Sequence, residues 1–289
     1  MNIVYGNQPE ALRAEDTLCL VSFDEFEQTN RALCIPARTA GEIMSCTVTK
    51  FESHSGFDFI CLNLPECKYP ERLCIYFKKD LLLFVYQKGG HLIENIKRLC
   101  SLETSGHVLF AFFEELICRD AEYLEELEER ISALEENLLT GRQQDCTRDI
   151  VALRKRLMVL KRYYERLLDI AESIEENENG ILSAKTQKFF RMYTSRVDRL
   201  YHDVLNLRDY VTQVREAYQS QVDINLNNIM KIFTVITAIC MPLTLIAGWY
   251  GMNLQMPEFH LSYAYPVIII VSLAIVVACI LFFKRKKWF

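Results

Sequence analysis

The chain has 289 residues, 51% hydrophobic and 25% charged, enough for one large or two modest domains with real cores. Its charge is divided: residues 1–230 hold 28 basic against 37 acidic side chains, a formal −9, and residues 231–289 hold five against one, +4. An acidic body excludes nucleic acid as a partner, which needs basic surface to displace phosphate counterions; the −9 is otherwise either a solvated surface or a field that attracts cations.

The first residues, Met1 to Gly6, lack a basic flank and an apolar core, so no signal peptide is expected. Residues 1–105 mix β-rich runs with turn residues. Segments 18–23, 46–51, 57–62 and 73–77 read as strands, with 81–86 a further buried one, and segments near 38–45 and 90–100 read as helical. This predicts an α/β domain that has no phosphate-cradling glycine loop and no nucleophile motif. The eleven cysteines include no C-x-x-C pair, which argues against a zinc or redox cluster and for reduced, buried thiols. The five histidines show no metal or triad spacing, so no enzyme is expected.

From about 106 the period becomes helical. Leu124, Leu127, Ile131, Leu134 and Leu138 are spaced three and four apart, and after a break at Thr140-Gly141 the pattern resumes from Ile150 to Ile174. The first of these helices is acidic and the second basic, which predicts an antiparallel hairpin over 106–183. Its acidic face is either a solvated flank or a surface for divalent ions. After a turn at Asn177-Glu178-Asn179-Gly180, Tyr193, Val197, Leu200, Val204, Leu207, Val211, Val214 and Tyr218 keep heptad spacing. No proline or glycine intervenes between Ile181 and Cys240, so one helix can run from 184 to 248, roughly 95 Å at 1.5 Å per residue. Its first part, 184–228, reads as a stalk.

Residues 229–250 carry one charge, Lys231, near one end, and residues 261–283 carry none. Each stretch is long enough to span a bilayer. Lys231 precedes the first span, Lys284-Arg285-Lys286-Lys287 in the tail 284–289 follow the second, and the connection 251–260 has no basic residue. The positive-inside rule then places both termini in the cytosol and the loop outside. The fold class expected is thus an α+β membrane protein: an N-terminal α/β domain (1–105), a helical hairpin, and a very long stalk helix continuing into the first of two membrane helices.

Met230, Thr234, Thr237, Met241, Thr244 or Leu245, and Gly248 lie three or four apart on one face of the first span. Such a stripe suits either close helix packing or a narrow, water-bearing channel. The second span has no comparable stripe, so its expected role is peripheral.

The run from Met241 to Tyr250 and then Gly251-Met252-Asn253, followed by Met256-Pro257-Glu258, Tyr265-Pro266 and the basic tail, resembles the membrane end of the CorA magnesium transporter family, whose signature is Gly-Met-Asn. The likeness is clear over about 215–289. It implies a homopentamer in the inner or plasma membrane, whose first membrane helices line one pore for Mg2+, with Co2+ or Ni2+ as alternative ions and cytosolic Mg2+ as regulator. By the same resemblance Asn253, with Gly251 and Met252, forms the outer selectivity ring; Thr244, Met241, Thr237 and Met230 face the pore; Asn227 and Glu216 line the cytosolic throat. Glu216 stands where the family often has aspartate. Two rival readings stay open, a zinc or cobalt/nickel carrier of the same family and a membrane-anchored coiled-coil scaffold without a pore. An isolated asparagine there is also a plausible helix C-cap.

Overall fold

The structure is a computed structural model that describes residues 2–5, 17–65, 72–87, 104–139, 146–252 and 263–286. Its elements are strands β1 (Asn2–Tyr5), β2 (Thr17–Ser22), β3 (Lys50–His54), β4 (Phe57–Asn63), β5 (Arg72–Lys78) and β6 (Leu81–Tyr86), with seven helices among the described residues. These are α1 (Phe23–Leu33), α2 (Ala37–Ser45), α3 (Ser105–Ile117), α4 (Asp120–Leu139), α5 (Cys146–Glu176), α6 (Ala184–Tyr250) and α7 (Ala264–Arg285). The chain forms two compact units, Met1–Val214 and Arg215–Phe289.

In the first unit six strands form one sheet in the order β1-β2-β6-β5-β4-β3. The strands β1, β2 and β6 are parallel neighbours, and β3 to β6 form an antiparallel meander. The central strands are buried along nearly their whole length, as expected of a sheet covered on both faces. Alternate residues go to opposite sides. Cys19, Val21, Phe59, Tyr76, Leu83 and Val85 pack with Phe26 of α1 and with Ala40 and Ile43 of α2. On the other side Phe84 meets Phe112 of α3 edge to face, with ring centres 5.2 Å apart.

Three sequence readings change here. Residues 46–49 are a link, not a strand: the Cys46 N–H closes the last turn of α2 on the Glu42 carbonyl, and β3 starts at Lys50. The Thr-Val-Thr run imitates a strand, but Val48 points to solvent, 51% exposed. The segment after Ser22 is helix α1, which buries only Phe26 and Thr29 and so shows little apolar period. Strand β1 was not expected, and the expected helix at 90–100 lies outside the described residues. The thiols also divide: Cys19, Cys61 and Cys74 are buried as expected, whereas Cys34, Cys118 and Cys240 are exposed. Burial pushes the Cys19 thiol up to about 12, which keeps it protonated and inert.

The hairpin is antiparallel. Arg156 lies over the Tyr123 ring, and Tyr164 Oη donates to the buried Asp120 carboxylate at 2.8 Å, so the start of α4 faces the later part of α5. Every apolar position from Ile150 to Ile174 singled out by spacing is buried, and so are Tyr193 to Val214 on α6. An aromatic cluster pins the start of α6 to α3: Phe190 is fully buried, edge to face with Phe110 (5.6 Å) and Phe113 (5.9 Å). Phe190→Ala should therefore cost about 3–5 kcal/mol, by lost transfer energy and the cavity left behind. Chemical denaturation of the detergent-solubilised protein, followed by helix signal, checks this; an unchanged midpoint would contradict it.

A polar latch joins the α5–α6 turn to the β3–β4 hairpin. The hairpin turns at Gly56, whose φ of 87° favours glycine. The Asn179 amide Nδ2 lies 2.7 Å from Asp58 Oδ1 and 2.9 Å from Ser53 Oγ, while Gly56 N–H donates to Asn179 Oδ1. Burial holds the Asp58 carboxyl above its usual range, more than the hydrogen bonds from Asn179 and Ser53 lower it. The folded state thus binds that proton more tightly than the unfolded chain, so this group's stabilisation is present at low pH and lost as pH rises through the raised value. Stability of Asp58→Asn relative to the parent should accordingly improve as pH rises above the ordinary aspartate value of about 4. Denaturation curves at acid and neutral pH test it, and a pH-independent difference would refute it.

Candidate functional site

The second unit holds the end of α6 and all of α7, and both helices contain stretches long and apolar enough to cross a bilayer. They pack through one side of each. On α6 the inward positions are Val235, Ala238, Ile239, Pro242 and Ile246, and on α7 they are Ile268, Ser272, Ile275, Cys279 and Phe283. The other positions are mostly exposed and mostly apolar, the reverse of a soluble helix pair, and Ile270, Leu273 and Leu281 are each more than 60% exposed.

Pro242 has no N–H to offer the Ala238 carbonyl four residues earlier. That oxygen instead lies 3.8 Å from Cys279 Sγ of α7. α7 therefore supports α6 at the point where its hydrogen-bond ladder is broken. Thiol donors are weak, so this is a modest compensation, but it gives α7 a positioning role beyond contact with lipid.

The predicted site residues fall away from this contact. At 100° per residue Glu216, Asn227, Met230, Thr237, Met241 and Thr244 share an arc of about 100°, centred about 120° round α6 from the positions that meet α7. All six are exposed, as is Met252 beyond the helix end. Met241 is 72% exposed and Met230 63%. Gly251 follows the helix end, its N–H still donating to the Ala247 carbonyl at 2.9 Å. Asn253 lies outside the described residues.

The chemistry of this stripe is more definite than its spacing alone conveys. Thr234, Thr237 and Thr244 each donate their hydroxyl proton to the carbonyl four residues back, at 2.8 Å. With the proton committed inward, the remaining lone pairs are acceptors only. A ring of such oxygens suits a partner that presents protons, and a hydrated cation presents the protons of its waters. Met230 precedes these threonines and Met241 stands between Thr237 and Thr244, both apolar and adaptable. Toward the start of this unit the same face carries Glu216, Ser220, Asp223 and Asn227 around a concavity of about 570 Å3. Asp223 went unremarked in the sequence, although its spacing of seven from Glu216 and four from Asn227 puts it on that face. Among the described residues no three His, Cys, Asp or Glu side chains converge as a ready-made metal cage.

A family model described as CorA-like Mg2+ transporter protein matches residues 39–285. A cobalt/magnesium transport protein CorA of Thermotoga maritima is 27% identical over 254 residues, covering 83% of this chain and 72% of that protein. One of the same name from Methanocaldococcus jannaschii is 27% identical over 237 residues, with 75% and 71% covered. The complete structure of the CorA magnesium transporter from the latter organism superposes with a TM-score of 0.78 at 20% sequence identity, covering 99% of this chain and 90% of that one.

Proposed function

The chain belongs to the family of CorA-like Mg2+ transporter proteins, and from that premise we propose that it forms a homopentameric channel passing largely hydrated Mg2+ along the α6 stripe. The observation that carries this reading is the row of acceptor-only threonines and exposed methionines on the side of α6 turned from α7. Magnesium gives up its water reluctantly and demands near-ideal octahedral contacts. A path for the bare ion would need six well-placed oxygens at each stage, whereas a path for the hydrated ion needs only acceptors for outward-pointing water protons. Threonine oxygens and the Asn253 amide supply these without the tight binding that rings of carboxylates would impose.

In this reading Gly251, Met252 and Asn253 form the outer ring, Thr244, Met241, Thr237 and Met230 the membrane path, and Asn227 and Glu216, with Asp223, the throat. Methionine rings give a dry constriction that closes by dewetting. Both termini lie in the cytosol, with the loop 251–260 outside. Gating follows from cytosolic Mg2+ bound between acidic faces of neighbouring bodies. The ion holds the closed arrangement only as far as it binds that state more tightly than the open one.

Relatives named for cobalt as well as magnesium support Co2+ as a second permeant ion, with Ni2+ after it. Zinc is disfavoured because softer ions recruit histidine or cysteine, and the named residues of the stripe include neither.

The test is flux into liposomes holding the purified protein and a magnesium-sensitive dye. Entry should be protein-dependent and should slow when Mg2+ is high on the cytosolic side. No entry above protein-free vesicles would favour a scaffold, and flux indifferent to cytosolic Mg2+ would remove the feedback while leaving the channel.

A further inference from the structure

Three thiols meet on the side of the sheet covered by α1 and α2. Cys61 of β4 and Cys74 of β5 are register partners on neighbouring antiparallel strands, so their side chains leave the sheet on the same face. Their Sγ atoms lie 3.7 Å apart, and both residues are fully buried. Cys46, which caps the end of α2, extends the row. Its thiol interacts with that of Cys61, whose Sγ also lies 3.7 Å from the Cys46 carbonyl oxygen. Unlike the other two, Cys46 is partly exposed. The row therefore runs from solvent inward, Cys46 to Cys61 to Cys74.

The inner end is next to a fixed positive charge. The Arg72 guanidinium lies 4.4 Å from the Phe23 ring centre, donates to the Ile43 carbonyl and hydrogen-bonds the Cys74 thiol. The hydrogen bond from Cys61, helped by this guanidinium, holds the Cys74 thiol below its usual range against the effect of burial. Cys61 is held above its range by its hydrogen bond to Cys74 and by burial, and Cys46 by burial. Thiolate character is thus concentrated at the inner sulfur, and the thiolate is the attacking group in disulfide exchange. The backbone geometry agrees. Directly opposed residues of an antiparallel pair have Cα atoms about 4.5–5.5 Å apart, inside the range of about 4.4–6.8 Å that a disulfide spans. Joining the two sulfurs therefore needs side-chain rotation and no movement of the strands.

We propose that Cys46, Cys61 and Cys74 form a redox relay that takes up peroxide at Cys46 and stores the oxidation as a Cys61–Cys74 disulfide across β4 and β5. The Cys46 thiolate attacks a peroxide oxygen, the O–O bond breaks, and a sulfenic acid forms as one water leaves. Cys61 attacks the Cys46 sulfur, the S–OH bond breaks, and a second water carries off the Cys61 proton. Cys74 then attacks the Cys61 sulfur, and Cys46 departs with the proton that Cys74 gives up. Two thiols have passed two electrons and two protons to one peroxide, which becomes two waters, and Cys46 is restored. Because burial raises the Cys46 thiol, uptake there is the slow step. The relay uses none of the residues of the proposed ion path, so its test does not depend on transport.

Full-length protein in detergent, treated with equimolar hydrogen peroxide and then alkylated in denaturant, tests this by disulfide mapping. Trypsin and Glu-C together separate Cys61 from Cys67 by cutting after Glu66. The peptide holding Cys61 should be found joined to the peptide holding Cys74. Cys19, buried in the same cluster, should be recovered as a free thiol. Cys46→Ser should slow formation of this disulfide at least tenfold, and Cys46→Ala gives the same comparison without a hydroxyl at this half-buried position. Cys74→Ala should halt the relay at a Cys46–Cys61 disulfide. The bond ties residues thirteen positions apart, so the oxidised parent should also melt at a higher temperature than the reduced one. Recovery of Cys61 and Cys74 as free thiols, or oxidation of Cys19 to the same extent, would overturn the site. Parental rates in both Cys46 variants would overturn the relay.

Discussion

Asn253→Ala is expected to abolish magnesium entry while leaving folding and assembly intact. The reason is chemical. At the mouth of the proposed path the ion arrives with its water shell complete, and the first ring must attract it without stripping it. An asparagine amide offers a carbonyl oxygen to the shell's protons, and repetition around a symmetry axis multiplies a weak dipole into a site. Alanine leaves a ring of methyl groups that offers the shell nothing. A fall of at least about a hundredfold in flux corresponds to about 2.7 kcal/mol lost for the ion at this point, a modest demand on several hydrogen bonds removed together. Size-exclusion chromatography and helix content supply the control for assembly, and the liposome assay supplies the rate. Parental flux in the variant would remove the selectivity ring from the proposed path.

The long helices were legible in the sequence because their signals repeat. From Ile150 to Ile174, and again from Tyr193 to Val214, one apolar residue follows another at three or four, and each selected position is buried. The two apolar stretches were legible because nothing else in an acidic chain has their purity. Short elements were harder. α1 buries two side chains in eleven residues, so its period is drowned by Asp24, Glu25, Glu27 and Gln28. The strand order could not be read at all, since the parallel pairing of β2 with β6 joins residues more than sixty positions apart. The same distance problem hid the chemistry. Spacing alone put Thr237 and Thr244 on one face, but only the side-chain rotamers show their protons turned inward. Nothing in the sequence brings Cys279 to Ala238 or Asn179 to Asp58; each meeting is made by the fold.

The tripeptide that carried the family resemblance can be taken apart in physical terms, and its first residue leads to the second large effect. A β-carbon placed on Gly251 would lie 2.8 Å from the Ala247 carbonyl oxygen, closer than such atoms approach in folded proteins. That oxygen cannot swing aside cheaply. It belongs to the backbone of the last turn of α6 and already accepts the Gly251 N–H at 2.9 Å. In Gly251→Ala, therefore, either this hydrogen bond breaks or the helix end shifts, at a cost of about 1–3 kcal/mol. Asn253 follows two residues later and moves with whatever moves. The variant keeps every polar group of the proposed ring and misplaces it, which distinguishes it from Asn253→Ala, where position is kept and chemistry is lost. Magnesium flux should fall at least about tenfold, since that strain falls on the ion's site and every 1.4 kcal/mol is a factor of ten. Preference between Mg2+ and Co2+ should also change, because a displaced ring no longer fits one hydrated radius. Liposome uptake of the two ions side by side measures both effects. If Gly251→Ala carried both at parental rates, the helix end would be free to yield, and glycine there would have to be explained by something other than the space its missing side chain leaves to Ala247.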